Sequence, residues 1–231
     1  MRPAWVTRQI TAFVRQFCRS SAEAWIGAGS IEGFEPVDRS RPRARLMRDF
    51  GAGGRRILMA GLDRADGFVW RPADPHGEPE LWLDPTLKGY RRVFERFSQS
   101  FCGAPGLDGA HVQIDHVFPK KAGALDGLAY VRTLAIPPES NQAAGRTMER
   151  AMAERARAVG NGKLVRHATY VSIGKATGFS GWESLPDSDD ALANRPLVDA
   201  LFVHLRGFGL PDSVLTEFDA TLTANRLRDL R

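Results

Sequence analysis

Cysteine is scarce in this chain. Cys18 and Cys102 are the only two among 231 residues. Two thiols are too few for a disulfide framework or a four-thiolate zinc site, and a reducing compartment is the simpler setting. No run of eighteen apolar residues occurs, which argues against a membrane span. Near the N-terminus Arg8, Arg15 and Arg19 interrupt any apolar h-region, and no small-residue cleavage site follows; the expectation is a cytoplasmic protein, with an Arg-rich transit peptide as the alternative. Internal repeats and low-complexity segments are also missing. The glycine-rich "GAGGRR" (Gly51–Arg56) lacks the Lys-Ser/Thr ending with which phosphate loops hold phosphate and magnesium, so it reads as a plain turn.

What is present is ordinary globular material, 43% hydrophobic and 26% charged, long enough for one sizeable domain or two small ones. The net charge of +5 is unevenly spread. Residues 1–56 carry eleven Arg against five acids (+6), residues 57–182 sixteen basic against thirteen acidic (+3), and residues 183–231 five against nine (−4). A basic front and an acidic tail suggest an oriented molecule whose basic part meets a polyanion.

The pattern predicts both helices and strands. Trp5, Ile10, Phe13, Val14 and Phe17 fall at helical spacing within Trp5–Trp25. A basic loop, Arg39–Arg48, follows, and is either a DNA contact or a solvated segment. Short strands are expected at "RILMAGL", "GFVWRP" and "ELWLD", and then a helix opened by Pro85, with Leu87, Tyr90, Phe94 and Phe97 as its apolar stripe. His111–Val117 and Tyr130–Ile136 read as strands, and a long helix runs from about Ser140 to Ala158. "LVRHATYVSI" reads as a further strand, and two amphipathic helices, about Ala191–Arg206 and Asp212–Leu227, hinge at "GFGLP".

The chemistry concentrates in the strand–loop–strand–helix segment. "IDHVFPKKAG" ends its first strand with Asp115 and His116, and Asn141 of "SNQAAGR" lies in the first turn of the helix, twenty-five residues after His116. A hairpin folded back onto the helix would bring a carboxylate, an imidazole and an amide oxygen together. The plain structural alternative is that the pair ends a strand and Asn141 caps a helix.

"DHVFP" (Asp115, His116, Pro119), a strand, and then Asn141 and Gly145 resemble the HNH, or ββα-metal, endonucleases, over about Val112–Arg157. The resemblance implies an α+β protein with a ββα-metal core over residues 105–160, preceded by a partly basic α/β region over 1–104 and followed by a mostly helical, acidic region over 161–231. It implies Asp115 and Asn141 as metal ligands, His116 as general base, and hydrolysis of DNA phosphodiester bonds to 5′-phosphate and 3′-hydroxyl ends. The residue chemistry agrees: carboxylate and amide oxygens are hard ligands suited to Mg²⁺ or Mn²⁺, and a neutral imidazole can accept a proton from water. One departure stands out, because the family's middle Asn falls here at about Tyr130: either Tyr130 or a backbone carbonyl replaces its orienting contact, or the base is less well held.

His111 shares strand alternation with Gln113 and Asp115 and is a candidate for orienting Asp115 or touching substrate. Arg146, Arg150 and Arg157, spaced by four and seven on the helix, form with Lys120, Lys121 and Arg132 a candidate phosphate track. DNA is the expected partner, with RNA as the alternative, and a partner protein or a second copy would supply targeting. A bacterial defence effector is the preferred biological setting. A non-catalytic nucleic-acid-binding or assembly protein that keeps the fold is the rival reading.

Overall fold

The computed structural model describes residues 2–19, 27–28, 53–125, 128–149, 168–184 and 191–216. In chain order these are α1 (Ala4–Arg19), β1 (Gly27–Ala28), β2 (Gly54–Ile57), β3 (Gly67–Pro72), β4 (Glu80–Leu83), α2 (Tyr90–Phe101), β5 (Gln113–His116), α3 (Lys120–Leu125), β6 (Tyr130–Ile136), α4 (Pro138–Ala144), α5 (Ala168–Thr177) and α6 (Ala191–Gly207). The class is mixed α+β. The basic loop 39–48, Arg150, Arg157 and the last predicted helix beyond residue 216 lie outside the described residues.

The strands form one antiparallel sheet in the order β1-β6-β4-β3-β2, with β5 also paired to β6. Strands from both sides of residue 104 therefore share a single sheet. β6 is its centre: it pairs with β4 through Val131–Thr133 and with β5 through Thr133–Ile136. Six of its seven residues are buried, as expected for a strand covered on both faces. Alternation along the strands splits the core. Val69, Leu81, Leu83 and Val131 belong to the main cluster, whereas Phe68, Trp70 and Trp82 make a second one with Tyr130 packed against it. The α1 stripe of Trp5, Ile10, Phe13, Val14 and Phe17 is buried in the main cluster as its spacing predicts.

The helix expected to open at Pro85 begins five residues later, at Tyr90. Asp84 Oδ1 accepts hydrogen bonds from the backbone N–H (2.7 Å) and hydroxyl (2.6 Å) of Thr86. That local turn competes with helical hydrogen bonding. Gly89, at φ 75°, then turns the chain into the helix.

A second correction concerns "LVRHATYVSI". Its last six residues, Ala168–Ile173, are in α5, a helix rather than a strand. Every residue from Val171 to Thr177 is buried. A helix buried all round lacks the polar face that would mark a 3.6-residue period, so its apolar, β-branched run reads like a buried strand. β5, β6 and α4 follow one another as strand, strand and helix, with the short α3 in the connecting loop. At Gly145 the helix widens into a π turn over Gly145–Glu149. No helix among the described residues is long and apolar enough to cross a membrane.

Candidate active site

β5 presents its residues alternately to two sets of helices. Gln113 and Asp115 are part-exposed, while Ile114 and His116 are buried. On the first side, Asn141 Nδ2 of α4 donates to Gln113 Oε1 at 2.8 Å. Asp115 Oδ2 lies 3.8 Å from the ammonium of Lys175, which α5 supplies and which is fully buried. Lys175 Nζ also donates to the His116 carbonyl at 2.9 Å, and the Ser140 hydroxyl donates to the Lys175 carbonyl at 2.6 Å. One lysine thus ties the Asp115-His116 step to α5, and one serine ties α5 to the first turn of α4.

On the other side the His116 ring packs against Tyr90, the first residue of α2, with ring centroids 4.7 Å apart. Only 1% of His116 is exposed. Burial lowers its pKa to about 4, with the Lys175 and Lys120 charges acting in the same direction and the Asp115 carboxylate opposing them. The imidazole is therefore neutral at pH 7.

Several buried polar atoms here have no hydrogen-bond partner: both ring nitrogens of His116, the hydroxyl of its cross-strand neighbour Thr133, and Asn141 Oδ1. Such groups are uncommon in native interiors, and an ion or a catalytic role is among the standard reasons for them. Asp115 Oδ1 is engaged by its neighbour, accepting from the His116 backbone N–H at 2.8 Å. Asp115 and Asn141 both offer hard oxygen on the same side of β5, a donor set that fits Mg²⁺ or Mn²⁺ with water completing the shell. Among the described residues no three His, Cys, Asp or Glu side chains gather as a metal cluster, so a metal here would rest on one carboxylate and one amide.

The other expected residues distribute unevenly. His111 does not reach Asp115; its Nε2 pairs with Glu139 Oε1 at 2.7 Å on the surface, a contact that holds the Glu139 pKa low. Tyr130 does not take over the orienting contact of the family's middle Asn. Its hydroxyl donates to the Arg64 carbonyl at 3.3 Å, and its ring packs edge-on against Phe68. Arg132 is not part of a phosphate track. It is fully buried 3.7 Å from Glu80, beside Gln16 and over the Phe13 ring, because it sits on the central strand with both faces covered. Arg146 is exposed but paired with Glu183. Lys120 and Lys121 are exposed at the start of α3.

Sequence reasoning missed Lys175, Tyr90 and Gln113. A lone lysine within the apolar "YVSIGKATGF" was a usable signal, since an unpaired lysine is almost never fully buried. Gln113, two residues before Asp115, was legible from strand alternation; nothing local marked Tyr90. Compared with protein-family models, curated proteins and solved structures, the chain matches none.

Proposed function

We propose that the protein is a metal-dependent endonuclease that hydrolyses DNA phosphodiester bonds at Asp115, His116 and Asn141. One observation carries this reading: both ring nitrogens of His116 and the hydroxyl of its cross-strand neighbour Thr133 are buried without partners at the end of β5, next to the part-exposed Asp115 carboxylate. The strand–strand–helix order over β5, β6 and α4 supports it. Asp115 and Asn141 would hold one Mg²⁺ or Mn²⁺, which when bound would polarise the scissile phosphate and stabilise the leaving oxygen. His116, neutral at pH 7, has a ring nitrogen free to accept the proton of the attacking water. Lys175 holds the backbone of the Asp115-His116 step through the His116 carbonyl. The Tyr90 ring covers one side of the imidazole.

A second reading is favoured by Lys175 itself. Its ammonium already answers the Asp115 charge, as in a non-catalytic nucleic-acid-binding protein that keeps the strand–strand–helix order. Plasmid cleavage separates the two. Nicking that needs Mg²⁺ or Mn²⁺, stops with chelator and falls by about 10²–10⁴-fold in His116→Ala is the expected result. Wild-type cleavage by His116→Ala removes the general base from the proposal. Metal-independent binding with no cleavage under any divalent ion favours the second reading.

A further inference from the structure

We infer that the DNA backbone docks on the α2–α3 side of the site, over Tyr90, with Arg91 and Lys120 as its phosphate contacts. This deepens, and rests on, the nuclease reading above. Both cations flank one ring: the Arg91 guanidinium carbon lies 5.7 Å from the Tyr90 centroid and Lys120 Nζ 5.5 Å from it. Both side chains are exposed, and among the described residues neither pairs with a carboxylate within 4 Å. An arginine fork and a lysine point charge are the two usual donors to phosphate oxygens.

Among the described residues, the arginines expected on the opposite side of the site are already engaged. Arg146 of the π turn is held by Glu183, and Arg132 lies inside the sheet. A phosphate arriving there would have to displace an ion pair. One arriving over Tyr90 meets cations without carboxylate partners.

The backbone contributes in the same direction. α2 has twelve residues, no side-chain cap at Gly89 and no acidic residue in its first turn, so no group of the helix itself offsets the positive end of its dipole, and the Asp115 carboxylate acts on Tyr90 from β5. That end meets the site through Tyr90, whose ring lies against the buried imidazole with its two unpartnered nitrogens. Phosphate contacts, helix end and imidazole therefore converge on the ring of one tyrosine.

The test is the affinity for a short DNA duplex in Ca²⁺, which usually supports binding without turnover, across a salt series. The Arg91→Ala/Lys120→Ala double variant changes only exposed side chains, and circular dichroism checks its fold. Its salt slope is expected to flatten by roughly two units, about 0.9 per lost phosphate contact. Arg146→Ala is expected to leave the slope unchanged. A double variant that binds like the wild type, a larger change in Arg146→Ala, or a wild type that does not bind the duplex overturns the docking surface. The two proposals fail separately. Metal-dependent cleavage with an unchanged slope in the double variant removes the surface and keeps the nuclease. A flattened slope in a protein that never cleaves keeps the surface and removes the hydrolytic reading.

Discussion

Two buried cations among the described residues face carboxylates, and they do opposite things with them. Arg132 and Glu80, both fully buried, are 3.7 Å apart between the central strands β6 and β4. Both oxygens of Glu80 are engaged: Oε1 accepts from Gln16 Nε2 at 2.6 Å and Oε2 from Trp82 Nε1 at 2.8 Å. Phe13 covers the guanidinium. Lys175 and Asp115, at 3.8 Å, sit at the end of β5, where the carboxylate is 24% exposed and the adjacent His116 and its cross-strand neighbour Thr133 keep unpartnered atoms. A buried carboxylate with both oxygens engaged away from water specifies a core. An open one, part-wetted and with spare donors and acceptors, is where a ligand or a reaction can enter.

The largest effect that would break this comparison is on stability. Arg132→Ala leaves Glu80 as an uncompensated buried charge and is expected to cost about 3–5 kcal/mol. Lys175→Ala is expected to cost less in urea denaturation, because water can reach Asp115. Equal losses, or a larger one for Lys175, would make both centres structural.

A somewhat smaller effect follows from pH. The folded pKa of His116, about 4, lies below the unfolded value of 6.5. Between these values the unfolded chain binds a proton that the folded one does not, so stability is full above about pH 6.5. It declines as pH falls towards 4 and levels off below, by about 3 kcal/mol in all. The measurement is a denaturation series in chelator, in which His116→Gln should remove most of that slope. A His116→Gln protein with the wild-type pH profile would mean that the buried imidazole is not its source.

The smallest expected effect is at the exposed Arg146–Glu183 pair, whose side chains are 65% and 54% exposed. Arg146→Ala should change stability by less than about 1 kcal/mol. A larger thermal shift would place this contact with the structural centre.

The stripe of α1 and helix α6 up to the "GFGLP" hinge were legible from sequence because one side is wet, and the strands β3, β4 and β6, buried along most of their length, because Gly, Pro and Asp punctuate their flanks. α5 was not, because burial on every side erases the period. Arg132 was misread for a related reason: on one strand it is a cation flanked by apolar residues, and only β4 on one side and β5 with β1 on the other make that strand central. The Asp84 turn that delays α2 was readable in principle, since Asp followed two residues later by Thr is a local signal.

The sequence by itself determined the order of the chemistry: Asp115-His116 at the end of a strand, then a strand, then Asn141 in the first turn of a helix. Local propensity and spacing suffice for that, since each involves groups within one element. Only the tertiary structure decided what faces what. It turned Asn141 onto Gln113, packed Tyr90 against the imidazole, and brought Lys175 from a helix nearly sixty residues away to the same carbonyl. Those contacts depend on how β5, α2, α4 and α5 pack around one central strand, a long-range burial no local pattern encodes.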